Sequence, residues 1–183
     1  MMKDNRKQVK IVELNQININ DINSMDNAFK VKSRIIPHIK DGIFGYTINE
    51  VPGFYTKSYP DDEFDYSTYI GNPDRAAFLA YVNDKATGQI TLRRNWNTFA
   101  WIEDIRVGSK YRRMDIGTRL MEAAVGWTKK TDMLGIMLET QDTNVPACLF
   151  YQKFGFTLGG VDKMLYGGPK HSVETALLWY FVF

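Results

Sequence analysis

Cysteine, histidine and excess charge are what this 183-residue chain has least of. Its single cysteine, Cys148, excludes an internal disulfide framework and fits a reducing cytoplasm. The two histidines, His38 and His171, have no ligand spacing to each other or to Cys148, which argues against a metal site. With 23 basic residues against 21 acidic ones, the net charge of +2 gives no reason to expect nucleic acid or an anionic membrane as partner. Long apolar runs are missing as well. The longest, LLWYFVF at the C-terminal end, is too short to cross a bilayer, and the charged opening MMKDNRKQVKIVEL lacks the apolar segment of a signal peptide. A soluble, cytoplasmic protein is expected.

What is present suffices for one core. Hydrophobic residues make up 44% of the chain and aromatics 14%, and no composition break divides it, so residues 1–183 are expected to form a single domain. Val9 to Leu14 alternates as a half-buried strand does. In the Asn- and Asp-rich stretch Asn15 to Lys40, Ile22, Met25, Phe29 and Ile35 have helical spacing, which predicts one or two short helices, the second ended by Pro37. Asp41 to Pro73, punctuated by Gly42, Gly45, Pro52, Gly53 and Pro60, reads as a long loop of the kind that carries binding segments. Three strands follow, Ala76–Val82, Gln89–Trp96 and Phe99–Val107, joined by turns into a meander. A helix from Gly117 to about Lys130 has Ile116, Leu120, Met121, Ala124, Val125 and Thr128 as its apolar face. Ile136–Thr140 is the next strand. Pro146 at a first helical position opens a helix that Gly155 closes. The chain from Phe156 is strand-like, broken by Gly159, Gly160 and Gly167-Gly168-Pro169, and Ala176–Phe183 is a last aromatic strand, available to a core or to a homodimer contact. This order predicts an α/β (α+β) fold, with a mixed, mostly antiparallel sheet of six to seven strands flanked by helices.

Two segments carry chemistry. Tyr111-Arg112-Arg113-Met114-Asp115-Ile116-Gly117 places two arginines just ahead of a helix, whose first N–H groups have no partner within the helix, and so forms a natural anion site. A diphosphate-bearing ligand is the first candidate; an ordinary turn with solvated arginines is the alternative. Asn144 through Phe156 forms the second segment, in which Asn144, Ala147, Cys148 and Tyr151 lie along one side of a helix and can face one bound molecule. Cys148, on an apolar side, is a packing residue rather than a nucleophile.

Both segments resemble motifs of the GNAT N-acetyltransferase superfamily: the pyrophosphate loop, Arg or Gln, two residues, Gly, one residue, Gly or Ala, and the closing motif of asparagine, an aromatic-tyrosine pair and Gly-Phe. Arg93-Arg94-Asn95-Trp96-Asn97, Ile102-Glu103-Asp104-Ile105, Met137 to Asp142, Gly160 to Tyr166 and the C-terminal end are similar to streptothricin N-acetyltransferases in particular. The resemblance implies acetyl-CoA as cosubstrate, without a metal, and splayed strands at its cleft. The backbone of Ile105, Arg106 and Val107 then meets the acetyl-pantetheine arm, and residues 112–118 (Arg112, Arg113, Met114, Asp115, Ile116, Gly117 and Thr118) hold the pyrophosphate. Asn144 and Ala147 contact pantetheine, and Tyr151 protonates the departing thiolate. The acceptor it implies is an amino group on the β-lysine portion of streptothricin.

In that strand Glu103 shares a face with Ile105 and Val107 if no bulge intervenes, and Asp104 points the other way. Glu103 is the candidate general base, directly or through a water, and Asp104 a substrate anchor or the second choice of base; pairing with Arg93, Arg94 or Arg106 is the alternative role for both. Glu139 and Asp142 would complete an acidic edge for a cationic amine, with the Asp61–Asp65 run as a further rim and Tyr55, Tyr59 and Tyr66 as stacking surfaces. Asp115 departs from the family glycine and brings a like charge to the phosphates, unless Arg112 or Arg113 neutralises it or it turns to cap a neighbouring N–H. Other acceptors, such as free lysine, another polyamine or a protein amine, and a CoA-binding domain weakened by Asp115 remain open on these residues.

Overall fold

The computed structural model describes residues 9–61, 63–167 and 174–183. It resolves into two compact units: Pro60–Met133 with the chain up to Asn27, and Ala28–Tyr59 with Leu134–Phe183.

In the first unit, β1 (Val9–Glu13), β4 (Arg75–Val82), β5 (Lys85–Arg94) and β6 (Ala100–Val107) lie side by side in that order, all antiparallel. The expected meander is β4-β5-β6. Its first turn is Asn83-Asp84, both left-handed at φ 51° and 58°, the two-residue turn whose twist matches that of the strands. Gly88 is part of β5 and not of that turn. A Cβ there would sit 3.0 Å from the Arg106 carbonyl and 3.1 Å from Ile116 and Leu120, so the missing side chain lets α1 (Ile116–Lys130) lie directly on β5. Ile116, Leu120, Met121, Ala124 and Thr128 are the buried face of α1, with Val125 at its margin. On the opposite side of the sheet, Leu14, Ile22, Tyr69, Ala77 and Leu79 form a second cluster.

Two expectations are corrected between Asn15 and Lys57. Asn15 to Lys40 holds no α-helix: Ile19–Asp21 is one 3-10 turn, and Phe29–Lys40 is a strand, β2. The region expected to be a loop contains a fifteen-residue strand, β3 (Ile43–Lys57), paired with β2. Phe29, Val31 and Ile35 are buried in alternation with exposed lysines, with a register shift after Val31, so a strand period underlies the positions that helical spacing suggested. The hairpin turns at Asp41-Gly42, left-handed at φ 52° and 77°, a strong short-range hairpin signal. Pro37 sits inside β2 opposite Tyr46, as a two-stranded sheet with open edges permits.

Besides this hairpin, the second unit holds β7 (Gly135–Gln141), α2 (Val145–Phe154), β8 (Thr157–Asp162) and β9 (Ala176–Val182), with β9 between β7 and β8 and antiparallel to both. Strand β9 therefore has no free edge. Its Trp179 is 1% exposed and belongs to the core, while the half-buried Phe181 packs on Phe154 and Phe156. Asn144 caps α2 by accepting from Ala147 N, Pro146 is the second helical residue rather than the first, and Gly155 ends the helix at φ 117°. Gly159 and Gly160 lie within β8, where a register shift marks a bulge. The turn expected at Gly167-Gly168-Pro169 is described only at Gly167, which is left-handed at φ 86°; Gly168 and Pro169 lie outside the described residues.

Gly135 is the tightest of these positions, because a Cβ there would lie 2.2 Å from the Phe181 carbonyl oxygen and 3.0 Å from Val182 Cα. Backbone cannot step aside as a side-chain tip can. Gly135→Ala is expected to lower the unfolding free energy by about 2–3 kcal/mol; urea denaturation reads it, and a loss under about 0.5 kcal/mol would contradict the packing described.

Candidate active site

Each unit carries its own set of residues with an expected chemical role. In the first, the chain leaves β6 through Gly108 and a 3-10 turn at Ser109–Tyr111, then enters α1 through Arg112–Asp115. Arg113 and Asp115 have left-handed backbone, φ 62° and 64°. Left-handed residues interleaved with ordinary ones turn successive N–H groups toward one point, the concavity that binds anions. Arg119 N donates to Asp115 O at 3.2 Å, whereas the N–H groups of Ile116, Gly117 and Thr118 meet no acceptor among the described residues. Arg112 donates Nε to Val107 O at 3.1 Å; its Nη groups and the Arg113 guanidinium make no hydrogen bond among the described residues, although the Arg112 charge acts on Asp26. These groups fit a diphosphate.

Asp115 fits the left-handed position that a glycine would also take. Its side chain is 65% exposed and makes no capping bond, and its carboxylate lies 3.8 Å from Arg119 Nε. The neutralising cation is thus Arg119, one turn along the same side of the helix, and neither Arg112 nor Arg113.

Strand β6 carries a bulge at Glu103: Ile102 faces Leu92 and Asp104 faces Thr91, with Glu103 between them unpaired. The strict alternation that separated Glu103 from Asp104 therefore fails, and both carboxylates reach the side of β5 that bears Gln89, Thr91 and Arg93. Tyr69 donates its hydroxyl to Glu103 Oε2 at 2.5 Å, and Arg93 Nε lies 3.2 Å from Oε1. Asp104 Oδ2 accepts from Gln89 Nε2 at 2.6 Å and Arg106 Nε at 2.9 Å. Burial, then the Glu103 hydrogen bond, push the Tyr69 phenol far above its ordinary range, so it stays a donor. Arg106, with a side chain 4% exposed, also holds Asp61 at 2.5 Å. Burial opposes its charge, but Asp104 and Asp61 outweigh that and keep the guanidinium above its ordinary value.

The acidic run is largely committed to structure. Asp61 binds Arg106, and Asp65 caps the 3-10 turn at Tyr66–Tyr69 through Ser67, whose hydrogen bonds hold this carboxyl below the usual range. Glu63 is exposed, and Asp62 lies outside the described residues. Tyr66 packs on Tyr69 at 5.6 Å, and Tyr55 is exposed on β3.

In the second unit, the Asn144 carboxamide caps α2 with its oxygen and donates its Nδ2 to Tyr59 OH at 3.4 Å. Tyr59 stacks on Phe29, its phenol pushed up chiefly by burial, and Lys57 Nζ lies 5.6 Å from its ring centroid. Lys57 is held 2.6 Å from both Glu174 oxygens and also bonds Gln141, while Thr143 donates to Glu174 at 2.6 Å. Glu139 accepts from Tyr166; burial raises its pKa, with Glu174 adding to the effect and Lys57 opposing it. Tyr151, 6% exposed, packs among Phe150, Phe156 and Trp179. Cys148 is fully buried, its thiol pushed up to about 12 by burial first and Asp142 next, which leaves it without nucleophilic character.

Asp142 does not edge a solvent-facing cleft. It is 1% exposed, its Oδ2 paired with Arg34, and Oδ1 has no partner among the described residues. Its carbonyl accepts from Ile35 N at 2.8 Å, which ties β2 to the end of β7. Tyr69, Arg34, Lys57 and Glu174 are engaged residues that sequence reading did not single out. For Arg34 the Asp41-Gly42 hairpin was the available signal; the other three carry none nearby. His171 lies outside the described residues, and among these no group of three His, Cys, Asp or Glu is placed to hold a metal. No helix among them is long and apolar enough to cross a membrane.

Among the described residues, the first unit thus holds a left-handed loop with free N–H groups ahead of α1, and the second an asparagine-capped helix with a buried tyrosine. The chain belongs to the acetyltransferase (GNAT) family, whose model matches residues 46–156, and is an acetyl-CoA-dependent N-acetyltransferase with that family's mixed seven-stranded sheet and two helices. Streptothricin acetyltransferase A of Bacillus subtilis (strain 168) is 40% identical over 173 residues, covering 94% of this chain and 99% of that protein. Streptothricin acetyltransferase of Escherichia coli is 36% identical over 156 residues, 85% and 86% of the two chains. A crystal structure from Bacillus anthracis str. Ames, assigned as a streptothricin acetyltransferase and in complex with acetyl coenzyme A, matches with a TM-score of 0.90 and 39% identity, covering 96% of this chain and all of that one.

Removing Arg34 would strand the buried Asp142 charge. Arg34→Met is expected to cost about 3 kcal/mol of stability in urea denaturation, and adding Asp142→Asn to recover at least half of it; a single-variant loss below about 1 kcal/mol would show that the pair does not hold β2 in place.

Proposed function

We propose that this N-acetyltransferase acetylates an amino group on the β-lysine portion of streptothricin and thereby inactivates the antibiotic. The carrying observation is the near full-length match to proteins bearing that name, at 40% and 36% identity. In this reading the cytoplasm, where acetyl-CoA is made, is the site of action, and the whole chain works as one acetyltransferase.

The roles assigned are these. Ile116, Gly117 and Thr118 N–H groups, the turn at Arg113, Met114 and Asp115, and the Arg112 and Arg113 guanidinium groups take the pyrophosphate of acetyl-CoA. Backbone of Ile105 to Val107, with Asn144 and Ala147, takes its pantetheine arm. The substrate ammonium is attracted by carboxylates of Asp104 and Glu139 and gives one proton to Glu103. With one oxygen bonded by Tyr69 and the other beside Arg93, Glu103 is fixed in orientation and accepts that proton through a water. The neutral nitrogen forms a bond to the acetyl carbon, the carbon–sulfur bond breaks, and Tyr151 gives its proton to the thiolate; the remaining excess proton on the new amide nitrogen leaves through water and restores the Tyr151 hydroxyl, and Glu103 releases its proton to solvent. Asp142 serves this site indirectly, by holding β2 through Arg34.

Thiol release across a panel of streptothricin, free lysine, simple diamines and peptides tests the substrate. A kcat/KM for streptothricin at least a hundredfold above the rest is expected; a preference for lysine or peptides would replace the acceptor, and acetyl-CoA binding without turnover would mark a weakened, non-catalytic domain. Glu103→Gln and Tyr151→Phe are each expected to lower kcat by about 10²–10⁴ with acetyl-CoA affinity retained. Near-normal turnover in both variants would remove these assignments.

The cost of Asp115 should be small. A like charge at ~4 Å repels by about 1 kcal/mol in bulk water, and Arg119 offsets part of that. Asp115→Gly, which suits φ 64°, is expected to tighten acetyl-CoA binding no more than about fivefold by calorimetry. A gain well beyond that would mean that the carboxylate faces the phosphates rather than Arg119.

A further inference from the structure

Asp26 stands far from the loop in sequence, just after the 3-10 turn Ile19–Asp21, yet its Oδ1 accepts the N–H of Ser109 at 3.0 Å. The two segments lie close: a Cβ at Gly108 would be in ordinary van der Waals contact with Met25 Cβ at 3.5 Å and Asp26 Oδ1 at 3.6 Å. Gly108 N donates to Thr87 O at 2.9 Å, Tyr111 N to Gly108 O at 2.8 Å, and Arg112 Nε to Val107 O at 3.1 Å. Four bonds thus fix residues 108–112, and three of them are local to the sheet and the turn. Among the described residues only the fourth comes from outside, and its acceptor, the Asp26 carboxylate, also feels the Arg112 charge.

We infer that Asp26 is a positioning residue for the phosphate-binding loop, setting the entry of the chain at Ser109 so that Arg112, Arg113 and the first N–H groups of α1 converge on one diphosphate. This rests on the loop's proposed role in holding acetyl-CoA. A residue placed this way acts on binding of the phosphates and leaves the chemical step alone. Its carboxylate accepts the Ser109 N–H; burial works against the charge, but the Ser109 hydrogen bonds with the Arg112 charge outweigh it and hold the carboxyl below its usual range.

The test compares two acyl donors, acetyl-CoA and S-acetylpantetheine, which has the same thioester arm and no phosphate. Steady-state kinetics on the full chain should show Asp26→Ala raising KM for acetyl-CoA about tenfold, with kcat within twofold and KM for S-acetylpantetheine unchanged. Asp26→Asn, which keeps an oxygen for Ser109 N–H, should regain most of the loss. An equal rise for both donors would mean general loosening of the fold and would overturn the inference, as would an unchanged KM for acetyl-CoA. If the wild-type protein gives both donors the same KM, and Arg112→Ala changes neither, the loop holds no phosphate at all, and the underlying reading falls rather than the role of Asp26 within it.

Discussion

A helix cannot satisfy the N–H groups of its own first turn, and this acetyltransferase is arranged so that those of α1 stay available. Packing holds the helix start in place: without a side chain at Gly88, Ile116 and Leu120 lie against β5. The chain must then leave β6 and enter α1 within a few residues, which forces Arg113 and Asp115 into left-handed backbone. For a non-glycine residue that conformation is costly, of order 1–3 kcal/mol, and it persists only where the surroundings over-determine it. The bonds from Asp26, Thr87 and the Val107 carbonyl supply that determination. Strain, exposed donors and basic side chains thus coincide at one point, the combination that electrostatic preorganisation requires.

A net charge of +2 conceals how fully the carboxylates are matched in place. Asp104 and Asp61 share Arg106, Glu103 has Arg93, Glu174 has Lys57 and Asp142 has Arg34. Glu139 differs, since its hydrogen-bond donor is a neutral phenol and burial works against its charge. Where a carboxyl's folded pKa lies above its unfolded one, the folded state binds more protons, so its contribution to stability falls as pH rises from the unfolded value through the folded one. Glu174, held below its ordinary value, acts in the opposite sense: its stabilisation is present above the unfolded value and is lost as pH falls. Positive charge near Glu139 relieves the first effect, as Lys57 already does in part.

Much of the fold was legible from local signals. The α1 face, the Asn144 cap, the Gly155 stop and the β4-β5-β6 meander all follow from periodicity and turn chemistry within a few residues. The hairpin β2-β3 is hidden in the sequence because Ile22, Met25 and Phe29 mimic a helical period, while the Asp41-Gly42 turn that names a hairpin stands among other glycines and prolines that suit a loop equally well. Site residues divide in the same way. Arg112, Gly117, Asn144 and Tyr151 stand in contiguous motifs, whereas Tyr69, Asp26 and Arg34 act over separations of 34, 83 and 108 residues, and no local pattern encodes such pairings.

The bulge at Glu103 shows what one extra residue can do. In a straight strand, adjacent carboxylates at Glu103 and Asp104 would face opposite sides of the sheet, one of them toward the helix α1 and its apolar face, where an unpaired charge would be costly. With the bulge, both reach the polar side of β5, where Arg93, Gln89, Tyr69 and Arg106 meet them. The side chains from Ile102 onward then keep their apolar neighbours: Ile102 stays with Leu92 and Ile105 with Ile90. A bulge thus resolves a conflict written into the sequence Ile102-Glu103-Asp104-Ile105, where two acidic residues interrupt a strand that must remain buried on one face. The same local irregularity that lets the strand fold also brings two carboxylates together on one side of the sheet, each already met by a fixed donor.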